Sequence, residues 1–207
     1  MLNTLFKTDL HFDWKIVTIT IVSTLAMIVD YYHQLIPGIN LDGMILYFMV
    51  PMLFILFVFR ESPKDYGFQL GDWKAGLTIT LGSLIILLPI LWFLVHGDAS
   101  MKQYYDHPLD LPVPIYGFFE IFGWEFLFRG WMTFGYLKKF GANALWIQAV
   151  PFALRHLTKP EAETISTILG GFFFGWVAYR TRSFLYPFLI HWTIFTFVIL
   201  TARGAFG

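Results

Sequence analysis

Five side chains in the second half of this 207-residue chain have chemistry to offer: Glu120, Glu125, Arg129, His156 and His191. Each lies within an apolar, aromatic stretch, and an ionisable residue inside a membrane span costs about 2.5–3.5 kcal/mol on insertion scales, so it needs a polar interior to face. Acids and two histidines on separate helices can activate water or hold a metal. Taken singly, a buried histidine reads as a satisfied core residue. Co-location with the acids makes His156 and His191 site candidates.

Within FFEIFGWEFLFRG, residues 118–130, Glu125 and Arg129 are four apart and share a helical face. A structural ion pair between them is the direct way to carry both charges through a bilayer. Glu120 precedes Glu125 by five residues and points about 140° away, so it needs another partner. Either Glu120 is protonated and hydrogen-bonds a neighbouring helix, or it is a carboxylate facing the histidines. His11, His33, His96 and His107 fall in flanks or loops, where no role is expected.

The elements that must position these groups read as an all-α, polytopic transmembrane bundle of about seven segments. The expected spans are Lys15–Val29, Gly43–Phe59, Ala75–Val95, Ile115–Leu137, Asn143–Leu157, Thr164–Arg180 and Phe184–Ala202. A surface-lying segment over Met1–Trp14 precedes them, Pro37 and Gly38 turn the chain, and Gly97–Pro114 forms a polar, turn-rich loop. The fifth span reaches only about 20 Å at 1.5 Å per residue, against a hydrocarbon core of about 30 Å, so it either crosses or tucks in with His156 buried. Gly170, Gly171 and Gly175 give the sixth a face suited to close helix packing.

Residues 1–114 thus form N-terminal membrane helices and loops, and 115–207 the core that carries function, within one integral membrane domain. With seven crossings and a cytoplasmic N-terminus, Lys7, Lys15, Arg60, Lys64, Lys74, Lys138, Lys139, Arg180 and Arg182 share one side. Lys102, Arg155, Lys159 and Arg203 take the other. That asymmetry supports an inside N-terminus.

Composition agrees: 57% of residues are hydrophobic, 24 are Phe, and mean hydropathy is +0.63, which is a membrane balance. Acidic and basic residues number 14 each, so no global field draws the chain to nucleic acid. The absence of cysteine removes disulfides, thiolate ligands and Cys nucleophiles.

Three motifs in order resemble the CPBP (CAAX protease and bacteriocin-processing, or Abi) intramembrane proteases. EExxxR followed by Gly appears as Trp124-Glu125-Phe126-Leu127-Phe128-Arg129-Gly130, FxxxH as Phe152 to His156, and HxxxN as His191 to Phe195, after the phrase YRTRSFLYPFLIHW. The resemblance implies an intramembrane endopeptidase of a bacterial cell membrane, acting on a membrane peptide, lipoprotein or membrane protein. In the family the first glutamate and the FxxxH histidine activate water, and the last histidine and asparagine stabilise the oxyanion. Here those glutamate and asparagine positions are Trp124 and Phe195, neither of which can do that work.

Glu120 lies one turn before Trp124, about 6 Å along the axis, on the same stripe. It is the candidate replacement for the missing base, with His156 and His191 as partners; the rival base is Glu125. No organic cofactor is expected, and a divalent metal such as zinc stays open, with Glu120, Glu125, His156 and His191 as its ligands. The alternative to an enzyme is an inactive, CPBP-like scaffold, immunity or partner protein that binds another membrane protein. Nothing in the chain reads as a prenyl-binding motif.

Overall fold

The computed structural model describes residues 10–36, 41–106, 109 and 111–206. The surface segment over residues 1–9, the turn at Pro37 and Gly38, and His107 lie outside the described residues. Among those described, the chain is helical throughout, with no strand. Helix α1 spans Trp14–Tyr32, opened by Asp13, whose carboxylate accepts from the N–H groups of Lys15 and Ile16. A cap of this kind answers donors that the first turn leaves without partners. The second apolar helix, α2, runs Met44–Phe59 and is wound as a π-helix at both ends. Helix α3, Trp73–Gly97, is capped by Asp72, and the short α4, Ala99–Tyr105, by Asp98.

Helix α5, Val113–Glu125, passes through a π-helical segment, Phe126–Met132, into α6, Thr133–Phe140. The expected fifth span is two short pieces, α7 at Ala144–Ile147 and α8 at Ala149–Leu154. Helices α9, Glu161–Thr181, and α10, Leu185–Ala202, complete the bundle. The polar loop expected over Gly97–Pro114 therefore holds a helix, α4.

Among the described residues, three helices, α1, α3 and α10, are long and apolar enough to cross a membrane on length and composition, and α2 is a shorter apolar helix. Large apolar side chains on α1 to α3 face outward, among them Leu25, Phe57, Leu81, Ile85 and Phe93. In water such a belt would be an aggregation surface; in lipid it is the solvent-facing side. This is an integral membrane protein. The helices around Glu125, Arg129 and His156 are broken into pieces too short to count as spans by length.

The short α7–α8 segment is packed antiparallel to α9. A Cβ on Gly171 would touch Ala149, one on Gly175 would touch Gln148, and the Thr164 hydroxyl donates to the His156 carbonyl. It is equally antiparallel to the α5–α6 helix, since Phe152 packs edge-on against Phe128 and His156 against Trp124. The strict up-down alternation of the bundle survives its shortness. The core is dominated by aromatic rings, with Trp131, Phe126, Phe128, Phe152 and Phe184 fully enclosed. Where α2 meets α5 there is no room for a side chain: a Cβ on Gly123 would lie 2.1 Å from the Gly43 carbonyl oxygen.

Candidate active site

Glu125 ends α5, where the backbone changes from α to π winding, and both it and Arg129 are fully buried. Single π turns inside helices are rare and concentrate at functional sites. The Arg129 Nε lies 3.3 Å from Glu125 Oε2. Among the described residues, none of the three guanidinium nitrogens, nor Glu125 Oε2, has a hydrogen-bond partner. The guanidinium lies instead on the face of Phe152, 3.9 Å from the ring centroid, with Phe174 and Phe128 at 5.2 and 5.6 Å. Desolvated cation–π contacts of this kind are worth about 2 kcal/mol or more.

The other oxygen of Glu125 is committed across the bundle. His191, on α10, donates from Nδ1 to Glu125 Oε1 at 2.7 Å, its ring stacked against Phe174. A carboxylate only accepts, so this bond fixes the tautomer and leaves Nε2 as the nitrogen with a free lone pair. His156 is fixed in the same way by the backbone: its Nδ1–H donates to the Phe152 carbonyl at 2.7 Å. Both histidines, with Glu120, line a cavity of about 180 Å³.

Trp124 fills the space between Glu120 and His156. Its Nε1–H donates to Glu120 Oε1 at 2.9 Å, its ring meets His156 edge-on at 5.4 Å, and the Arg155 guanidinium lies 5.3 Å from it. Arg155 is ion-paired to Asp30 and hydrogen-bonded to Tyr47, which ties the end of α1 to the turn after α8. Glu120 and Arg155 also line a polar pocket of about 440 Å³ that includes Asp30, Asp42 and His33. On the other side, His156 and His191 border an apolar space of about 530 Å³ between α3, α9 and α10, lined by residues such as Leu87, Leu91, Phe173 and Val198. The site therefore sits between a polar approach and an apolar one.

A metal fits these residues only in part. The two Nε2 atoms are suitable donors, but Glu125 is turned to His191 and Arg129, and one oxygen of Glu120 is held by Trp124. Among the described residues no three His, Cys, Asp or Glu side chains gather as a metal-holding group.

Three groups at the cavity escape motif reading. Lys159, in the turn after α8, hydrogen-bonds Glu163 at 2.9 Å and Tyr105 at 3.3 Å, and the Tyr105 hydroxyl donates to Glu163 at 2.7 Å. Burial pushes the Tyr105 phenol above its ordinary range, so it remains a donor. The usable signal was that Lys159 follows His156 by three residues and precedes Glu163 by four, about one turn each way, though Tyr105 reaches the cavity from a distant part of the chain.

Against known proteins, residues 106–197 match the family model described as type II CAAX prenyl endopeptidase Rce1-like. No curated protein and no solved structure matches the chain. The matched stretch contains Glu120, the Glu125–Arg129 pair, His156 and His191, so the part of the chain that carries the candidate site is similar to the Rce1-like family.

Proposed function

We propose that the protein is an intramembrane endopeptidase that hydrolyses a peptide bond in a membrane-associated peptide or protein. The observation that carries the reading is the buried 2.7 Å bond from His191 Nδ1 to Glu125 Oε1. An imidazole backed by a carboxylate, with its second nitrogen on a cavity, is equipped as a general base, because the carboxylate orients the ring and stabilises the imidazolium that forms. The similarity of residues 106–197 to the Rce1-like family supports the same chemistry.

In the proposed reaction His191 Nε2 takes a proton from water, and the hydroxide adds to the substrate carbonyl carbon. The imidazolium then returns the proton to the leaving amine as the C–N bond breaks, giving a carboxylic acid and an amine. His156 Nε2 accepts the second water proton as a hydrogen bond and orients the attack. Glu120, one helical turn from Trp124, is retained as a second proton-carrying group on the cavity wall. The apolar space between α3, α9 and α10 suits the lipidic or apolar part of the substrate, and the polar pocket beside Glu120 suits the entry of water.

We further infer a bacterial cell membrane with the N-terminus cytoplasmic. One end of the bundle gathers Lys15 and Lys138 around Glu61, and Arg180 on Asp72, and such basic enrichment marks the inner face.

One observation favours a second reading, a binding protein without catalysis. Trp124 fills the space between Glu120 and His156 and takes up a Glu120 oxygen. The deciding experiment reconstitutes the full chain in liposomes with two probes, a farnesylated C-terminal peptide and an unmodified transmembrane peptide. Incubation in ¹⁸O water with and without chelator is followed by mass spectrometry. Hydrolysis puts one ¹⁸O on the new C-terminal carboxylate; wild-type protein that cleaves neither probe sinks the endopeptidase reading in favour of the binding one. Loss of cleavage with chelator, restored by zinc, replaces the metal-free route.

A further inference from the structure

Peptide hydrolysis builds negative charge on the carbonyl oxygen, and stabilising that charge is usually the largest catalytic contribution an enzyme makes. Several polar groups lining the cavity have their donors already engaged. His156 and His191 spend their Nδ1–H groups on Phe152 and Glu125, which leaves acceptors. Trp124 spends its only N–H on Glu120. Arg155 is engaged by Asp30 and Tyr47, and the Tyr105 hydroxyl by Glu163. Phe195 offers nothing polar.

Lys159 is different. Its ammonium carries three donors, and Glu163 and Tyr105 answer two of them. Its side chain is only 14% exposed, it lines the cavity together with both histidines, and its Nζ lies 5.9 Å from the centre of the Phe195 ring. It is also held in register with the turn that carries His156, because the Lys159 N–H donates to the His156 carbonyl at 2.9 Å. Glu163 and Tyr105 fix the ammonium from behind, as preorganised stabilisation requires.

We infer that Lys159 is a catalytic residue that donates its remaining N–H to the oxyanion of the tetrahedral intermediate. This rests on the endopeptidase reading above. The cavity then combines acceptors for water on His191 and His156 with a cationic donor for the carbonyl oxygen on the turn that carries His156. The charge enters with the intermediate, so the contact strengthens after the substrate has bound.

The test compares wild type, Lys159→Met, Lys159→Arg and Glu163→Gln in liposomes on whichever of the two peptide probes the wild type cleaves. Thermal midpoints are read in parallel. Expected is a fall in kcat of about 10²–10³-fold for Lys159→Met with KM within about threefold, and partial recovery in Lys159→Arg. A peptide phosphinate, whose charged oxygen mimics the oxyanion, should bind Lys159→Met more weakly than wild type by a comparable factor. Glu163→Gln, which keeps the ammonium but loosens its mooring, should lower kcat by clearly less than Lys159→Met does. If Lys159→Met matches wild type, or raises KM alone, or loses activity only in step with a thermal midpoint that Glu163→Gln lowers equally, the role is overturned while the endopeptidase reading stands. Wild type that cleaves neither probe and does not bind the phosphinate overturns both.

Discussion

The indole N–H of Trp124 is hydrogen-bonded to Glu120, one turn earlier on the same helix, at 2.9 Å. The residue standing where the family carries a glutamate therefore holds another glutamate in place. That contact divides the two acids of the motif region: Glu120 is tethered at the cavity wall, and Glu125 is engaged by His191 and Arg129.

Replacing each acid by its amide separates their contributions. Glu125→Gln is expected to lower kcat/KM by about 10²–10⁴-fold, the usual range for losing general-base catalysis, and Glu120→Gln by less than about tenfold. Initial rates on the cleaved probe check this. The reverse order would transfer the base role to Glu120.

Trp124→Phe keeps the ring against His156 but deletes the donor to Glu120. The cost should be about 1–3 kcal/mol if the abandoned carboxylate finds no water, read as a lower thermal midpoint in detergent. Activity should change by less than about threefold, because His191 and Glu125 are untouched. A larger loss would tie catalysis to the Glu120 tether.

Arg129→Met leaves Glu125 buried without its counter-charge. Removing one partner of a buried pair costs about 3–5 kcal/mol, and the double variant Glu125→Gln with Arg129→Met should recover part of that stability. Equilibrium unfolding of both variants provides the comparison. Equal losses would mean that the aromatic cage, rather than the charge pair, holds this region.

Acid stability has a local component outside the spans. The Arg180 guanidinium, hydrogen-bonded at 2.8 Å, and the Ala75 N–H hold the Asp72 carboxyl below the usual carboxylate range. A depressed folded value stabilises the fold fully above the unfolded value of about 3.9, and that contribution disappears as pH falls through the folded value. Asp72→Asn should flatten the fall of the thermal midpoint below about pH 4 and leave its shape near pH 7 unchanged.

The seam between α2 and α5 is testable by paired alanines. Gly123→Ala forces a methyl against the Gly43 carbonyl, and overpacking of that kind costs about 1–3 kcal/mol or more. A Cβ on Gly82, in α3, meets nothing within 4 Å, so Gly82→Ala should stabilise by about 0.5–1 kcal/mol through backbone entropy. Thermal midpoints moving in the same direction would refute the close-packed seam.

Helical periodicity was enough to make the Glu120–Trp124 stripe and the shared face of Glu125 and Arg129 legible in the sequence, because both are local relations within one helix. Apolar run lengths gave most segments to within a few residues. The bond from His191 to Glu125 was not legible. It depends on how α10 is rotated against α5, and on a π segment that no residue type announces. Helix α4 was hidden by the aspartates and prolines around it, although Asp98 is the residue that caps it. Lys159 read as one more loop charge, since its place on the cavity shows only once Tyr105, 54 residues earlier, is packed against it.

The contact of Gly43 with Gly123 also bears on how this protein can change. A side chain gained at either position would act as a wedge one residue from Trp124 and beside Glu120, whose Oε2 would lie 3.1 Å from a Cβ on Gly43. Drift at that seam would be felt in the cavity wall as well as in the fold. The two halves of the chain are therefore bound to accept substitutions jointly, and a lineage that lost cleavage would be freest to lose it there.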